Sequence, residues 1–312
     1  MIGEIFSKSN SGRIYRDTTI IQCDGFIFEF KQVDISHKQH EYINRTELTT
    51  IVTIKNIRTD QLEKILDIID DLCWLLSFIQ QSPIRRHGYK LNSNQEWTSC
   101  LGIVINPLNN IIENSGKETR KFIEQTYPNF KKLKSARQLT VVFGYISEAN
   151  ISALALEAKL ILHYVLIENL KHTFANIKAF KKHNTQFSHP SFPDLENKPE
   201  DIADYEVITQ KTKKNRYRHK KYGKCGSNEM IKRTFEDVGI SRNITNDIID
   251  KRNKMIHEGI LLPFGDINYS KQAIEDLQDV SDLLRKYLLT ILNYKGSYYL
   301  SRDRIGCSGL IT

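Results

Sequence analysis

The stretch Ile151–Phe174 (ISALALEAKLILHYVLIENLKHTF) is apolar on most faces of a helix. A helix of that kind has no face to give to water, so its neighbours must cover it on several sides. It calls for a helical bundle around it. Ser227–Val238, Asn243–His257 and the longer Ser270–Tyr294 supply further helices at the right spacing. Lys117–Lys134 is a polar helix that Pro128 is expected to break.

The first third reads differently. Thr19–Phe30 (TIIQCDGFIFEF) and Glu47–Ile57 (ELTTIVTIKNI) are loaded with β-branched and aromatic residues. Asp24-Gly25 splits the first run as a hairpin turn does. Trp97–Ile105 reads as another strand, stopped at Asn106-Pro107. One helix lies among these strands. Asp60 and Glu63 form a capping-box pattern, and apolar residues from Leu62 to Ile79 follow at helical spacing. The expected fold class is α+β. A β-rich N-terminal domain with one long helix spans residues 1–115, and an all-α bundle spans residues 116–312. A polar, basic insertion at about 181–226 interrupts the bundle. Its first half carries Pro190, Pro193 and Pro199 and has loop composition.

Charge narrows the function classes. The chain of 312 residues has 45 Lys plus Arg against 37 Asp plus Glu, a net charge of +8. Lys211–Lys224 (KTKKNRYRHKKYGK) holds six Lys, two Arg and no acid, so the whole surplus sits in that one segment. This excludes a uniformly basic, histone-like protein. It leaves one anionic contact strip or one solvated loop. Tyr217 and Tyr222 interleave with Lys213, Lys214, Arg216, Arg218, Lys220, Lys221 and Lys224. Such a mixture suits single-stranded nucleic acid, where cations meet phosphates and aromatic rings stack on bases. Five Cys are scattered without a CxxC pair, so neither a disulfide framework nor a thiolate zinc site is expected. The N-terminal residues lack the apolar core of a signal peptide, and no apolar stretch reaches the ~20 residues that span a bilayer. A cytoplasmic protein without a membrane partner is expected.

Asn243–Ile260 (NITNDIIDKRNKMIHEGI) carries the most chemistry. At ~100° per residue, Ile244, Ile248 and Met255 group together, with Ile249 and Ile256 further round. Those five define the expected buried face, and Arg252 projects near its middle. Asn253 lies beside Arg252, and His257 occupies the last turn before Gly259. A cation in an apolar stripe is costly unless it is paired. Glu157 and Glu168 in the core helix are the candidate partners, which makes a structural ion pair the plainest reading. The alternatives are an anionic ligand or a second chain.

Arg252-Asn253-Lys254-Met255-Ile256-His257 resembles the Arg-x4–6-His motif of HEPN domains, in which a polar residue commonly follows the Arg. The order of core helix, motif and final helix is similar too, over roughly Ile151–Tyr294. The long insertion departs from the family pattern. The resemblance implies a metal-independent endoribonuclease with no cofactor, working as a homodimer with a composite active site. RNA, single-stranded or tRNA-like, supplies its own nucleophile, the 2′-hydroxyl. His257 would act as general acid or base. Arg252 would hold and stabilise the scissile phosphate, and Asn253 would orient the phosphate or the imidazole. The products would carry 2′,3′-cyclic phosphate and 5′-hydroxyl ends. The resemblance further implies a toxin or anti-phage role, an inhibitory or activating protein partner, and a sensor role for the N-terminal domain. The alternative is a non-catalytic RNA-binding or oligomerisation module.

Other patterns are weaker. Asp24, Glu29 and Lys31 faintly resemble a PD-(D/E)xK nuclease core, but the alternating strand favours a solvent face for Glu29 and Lys31. His37 and His40 lack acidic or Cys partners for a metal. His163 in the core helix reads as a buried, hydrogen-bonded histidine.

Overall fold

The computed structural model describes residues 18–32, 50–91, 94–97, 110–113, 115–209, 215–258, 267–301 and 308–311. It is a mixed α+β fold. The chain forms two compact units, Met1–His163 with Leu261–Thr312, and Tyr164–Ile260. The division falls inside a helix, and the helices after residue 115 are shared between both units. The units are therefore cut differently from the boundary expected at about residue 115.

Strands β1 (Thr18–Cys23), β2 (Phe26–Gln32) and β3 (Thr50–Thr53) form an antiparallel sheet in that order. The Asp24-Gly25 turn has φ of 47° and 84°, the doubly positive conformation that Asp-Gly favours in a two-residue hairpin. Ile21, Cys23, Phe28 and Phe30 point into the core, and Lys31 is exposed. Glu29 lies near Lys55 at 3.8 Å, and the Asp24 carboxylate is bound by Lys131 and Tyr127, so the faint nuclease core is not assembled.

Helix α1 (Leu62–Gln80) follows a 3-10 turn, Thr59–Gln61. Its start signal differs from the expected one. The Arg58 N–H donates to Gln61 Oε1 at 3.0 Å, while Asp60 accepts from the Arg58 guanidinium. Strands β4 (Gly88–Leu91) and β5 (Asn94–Trp97) pair as a hairpin. Residues 98–105 of the expected Trp97–Ile105 strand lie outside the described residues, as do His37 and His40. Helix α2 (Gly116–Leu133) runs through Pro128 unbroken. Pro128 is exposed while Thr126, Tyr127 and Phe130 are buried, so core packing outweighs the one lost backbone bond. Helix α3 (Leu139–Ala149) was not legible as a helix, because LTVVFGYISEA is rich in strand-favouring residues. Its Phe143 stacks on Phe78 of α1 at 4.7 Å.

Helix α4 (Leu156–Ile177) realises the apolar stretch. His163 is 5% exposed and takes two hydrogen bonds, to the Lys159 carbonyl at 2.7 Å and with Ser281 Oγ at 3.0 Å.

The insertion is folded, contrary to the loop reading. Strands β6 (Lys181–His183) and β7 (Gln186–Ser188) form one hairpin, β8 (Tyr205–Thr209) and β9 (Asn215–His219) another, and β10 (Cys225–Gly226) pairs with β7. Its polar composition hides widely spaced aromatic residues that bury one another. Phe180, His189, Phe192, His219 and Tyr222 form one cluster, with Phe192 stacked on Tyr222 at 4.7 Å. The turn after β9 requires glycine. A Cβ on Gly223 would lie 1.9 Å from Arg218 Cγ and 2.5 Å from the His219 carbonyl oxygen.

Helices α5 (Ser227–Glu236) and α6 (Arg242–Glu258) complete the second unit. Arg242 ties them together through Glu229 and Glu236. Helix α7 (Ile267–Ile291) and the hairpin of β11 (Gly296–Tyr299) and β12 (Ser308–Ile311) return to the first unit. Arg285 of α7 is 3% exposed and donates to Gln81 Oε1 at 2.8 Å and to the Tyr299 carbonyl at 3.1 Å. No helix among the described residues is long and apolar enough to cross a membrane.

Candidate functional site

The buried face of α6 is narrower than its sequence suggested. Thr245, Ile248 and Ile249 are buried, but Ile244 and Ile256 are exposed and Met255 is half-buried. Arg252 still belongs to the inner side, with its side chain only 11% exposed. Desolvating a guanidinium there demands partners, and two are present. Its Nη1 donates to Asn253 Oδ1 at 2.8 Å, and its Nη2 lies 2.7 Å from Glu168 Oε1. The second contact is an ion pair by distance, and Glu168 Oε1 takes no well-aligned hydrogen bond. Arg252 Nε is buried without a hydrogen-bond partner among the described residues.

Of the two candidate carboxylates, Glu168 is the one that meets Arg252. Glu157 lies in the first turn of α4, eleven residues or ~16 Å earlier along the same helix. Asn253 fixes the guanidinium from the next residue on α6. His257 is the penultimate residue of α6, and its side chain lies outside the described residues.

One member was missed in the sequence. Lys171, one turn after Glu168 on α4, is 3% exposed. Its ammonium binds Glu168 Oε2 and donates to Ser227 Oγ at 2.7 Å. A Glu and a Lys three apart on an otherwise apolar helix share a face, and that was the available signal. Burial holds the Lys171 pKa below its usual range, against the upward pull of Glu168 and with the downward push of Arg252. The neighbouring His172 is likewise held low, by burial first and then by Lys171 and Lys182. The centre therefore holds two buried cations on the two oxygens of one carboxylate.

The basic strip is placed unevenly. Lys213 and Lys214 lie outside the described residues. Arg216, Tyr217 and Arg218 sit on β9, and their charges are partly answered. Arg216 lies 3.6 Å from Glu196, and Arg218 lies 3.7 Å from Asp194 and 4.0 Å from Glu206. Tyr217 exchanges backbone hydrogen bonds with Leu195 at 2.9 Å in both directions. The Tyr222 ring is partly buried and packed against the other rings of the aromatic cluster, so it is not a free stacking platform. His219 Nδ1 accepts the backbone N–H groups of Lys221 and Tyr222 at 3.2 and 3.1 Å. Burial lowers its pKa, and both observations describe a neutral imidazole. Lys220, Lys221 and Lys224 are exposed, and Lys220 Nζ also donates to the Ala203 carbonyl at 2.7 Å. The strip ends close to the centre. Lys224 precedes Ser227 by three residues, at most ~10 Å of extended chain.

Among the described residues, no group of three or more His, Cys, Asp and Glu is arranged to hold a metal ion. No protein-family model, no curated protein and no solved structure matches the chain.

Proposed function

We propose that the chain is a metal-independent endoribonuclease that cleaves RNA by attack of the 2′-hydroxyl on the adjacent phosphate. The observation that carries this reading is the Arg252 guanidinium, buried on α6 one turn before His257 and fixed by Asn253 and Glu168. A held, largely desolvated guanidinium is suited to a phosphate that gains negative charge in the transition state. His257 moves the proton, as an imidazole that titrates near neutral pH. The exposed lysines of the strip draw in the RNA backbone. A homodimer brings two such centres together, and the cytoplasmic toxin or anti-phage role follows from the resemblance of the Arg–His motif to HEPN ribonucleases.

A second reading has its own observation. The Arg252–Glu168 ion pair is also what a structural pair inside a non-catalytic RNA-binding module looks like. Incubation of purified protein with total RNA in EDTA separates the two. Cleavage with 2′,3′-cyclic phosphate ends, lost in both His257→Ala and Arg252→Ala at unchanged far-ultraviolet dichroism, supports the ribonuclease. Undiminished cleavage by either variant sinks the mechanism, and binding without cleavage supports the module.

A further inference from the structure

The charge count at the Arg252 centre does not close. Lys171 and Arg252 are both buried, and both lean on Glu168, the most exposed of the three at 27%. Among the described residues, one carboxylate between two cations leaves one positive charge without a counter-charge in the cluster. Arg252 Nε adds a buried donor with no acceptor among those residues. Buried charge without a partner is expensive and persists where something repays it. The Ser227 hydroxyl, bound to Lys171, opens helix α5 and brings the positive end of that helix to the same place. Two cations converge on one small anion, a side chain of the protein itself, and one of them, Lys171, also holds the hydroxyl at the start of α5.

We infer that the Glu168 carboxylate is a resident anion, occupying between Lys171 and Arg252 the place that a phosphate group of the RNA takes when it binds. The inference rests on the reading of Arg252 as a phosphate-binding residue and extends it in two ways. It adds Lys171 as a second cation for the same phosphate. It also makes Glu168 a competitor that the substrate displaces. Carboxylate and phosphate present similar oxygen pairs to a guanidinium and an ammonium. A phosphate diester carries the same single negative charge on two non-bridging oxygens, one for the Lys171 ammonium and one for the Arg252 guanidinium. Glu168 is placed to leave, because its side chain is the most exposed of the three, while Asn253 still holds Arg252 and Ser227 still holds Lys171. In the free protein the carboxylate keeps the two cations from repelling each other. In the complex the phosphate does so.

The sign of one substitution tests this. Glu168→Gln keeps the shape and removes the competing charge. Inorganic phosphate, titrated by calorimetry at low ionic strength, should bind this variant roughly tenfold tighter than the wild type, a difference of about 1.4 kcal/mol. Phosphate should also raise the melting temperature of Glu168→Gln more than that of the wild type. Glu168→Gln combined with Lys171→Met should lose the gain. Glu168→Asp, which keeps the charge, should bind as weakly as the wild type. If Glu168 merely holds Arg252 in place, the Gln variant binds phosphate no better or worse than the wild type, and the inference fails. A short 2′-O-methyl RNA, which cannot be cleaved, should show the same order of affinities. If phosphate alone follows the order and the RNA does not, the site takes a free anion and the inference fails for RNA. The outcomes separate from the ribonuclease reading. Tight phosphate binding by Glu168→Gln with no cleavage by the wild type removes the ribonuclease and leaves the anion site. Cleavage by the wild type with unchanged phosphate binding by Glu168→Gln does the reverse.

Discussion

Glu168→Gln should destabilise the protein far more than Arg252→Gln, although the two residues form one ion pair. The asymmetry follows from the third member. Removing Arg252 leaves Lys171 and Glu168, one charge against one, still in contact. Removing the Glu168 charge leaves two buried cations on either side of a neutral amide. Each cation lies within contact of one carboxylate oxygen, so the two are ~5 Å apart, and at an effective dielectric of ~20 their repulsion is about 3 kcal/mol. The cost of breaking buried pairs is of the same order, about 3–5 kcal/mol. We therefore expect a loss of about 3 kcal/mol for Glu168→Gln and about 1 kcal/mol or less for Arg252→Gln, read by urea denaturation in phosphate-free, low-salt buffer. Adding Lys171→Met to Glu168→Gln should recover much of the loss, because only one buried cation remains. That non-additivity is the strictest part of the prediction. Equal losses for the two single variants, or simple additivity in the double, would refute the idea that one carboxylate neutralises both cations.

Acid should destabilise the first unit through His163. Burial lowers its pKa to about 4, so the unfolded chain binds a proton below the ordinary 6.5 that the folded chain refuses. Stability is fully present above pH 6.5 and falls as pH drops towards 4, by about 3 kcal/mol in total; a pH series of urea denaturation should show this slope, and His163→Gln should flatten it. Lys220, Lys221 and Lys224 changed together to Gln should lower the slope of log affinity against log salt by about 2 for single-stranded RNA. Arg216 and Arg218 changed to Gln should lower it less per residue, because Glu196, Asp194 and Glu206 already answer part of their charge; an equal drop per residue would contradict that pairing.

The elements legible in the sequence were those in which local chemistry and packing agree. Asp24-Gly25 demanded a doubly positive turn, and the stretch that became α4 demanded cover on several sides. Both are present. Where packing overrode local preference, the sequence misled. Pro128 is carried inside α2 because its neighbours Tyr127 and Phe130 are buried, and α3 is helical despite its β-branched residues because Val142, Phe143 and Ile146 line one buried face. The insertion looked like loop because prolines and lysines are read locally, whereas Phe180, Phe192 and Tyr222 find one another across more than forty residues. At the site, the need for a partner beside Arg252 was legible from cost alone, since an apolar stripe cannot hold a bare cation, but the choice between Glu157 and Glu168 was not. Lys171 was hidden by the same rule, because a lone Lys beside a Glu on a long helix is ordinarily a solvated pair. Only the packing shows that it is buried.

That difference bears on which charges matter. The +8 of the strip dominates the sequence, yet its described cations are exposed or answered by neighbouring carboxylates. Exposed charges act in water, where a pair at 4 Å is worth about 1 kcal/mol and salt screens beyond ~8 Å. They raise the local concentration of a polyanion and carry little geometric information. The surplus charge that Lys171, Glu168 and Arg252 carry among the described residues sits where the same pair is worth several times more. On the ribonuclease reading, a strip that collects RNA and a cation pair that selects one phosphate would divide the work by dielectric. Ser227 joins them, as the hydroxyl on Lys171 and the residue three after Lys224. On that reading, a strand held along the strip would lie a few residues of chain from the centre of Lys171, Glu168 and Arg252.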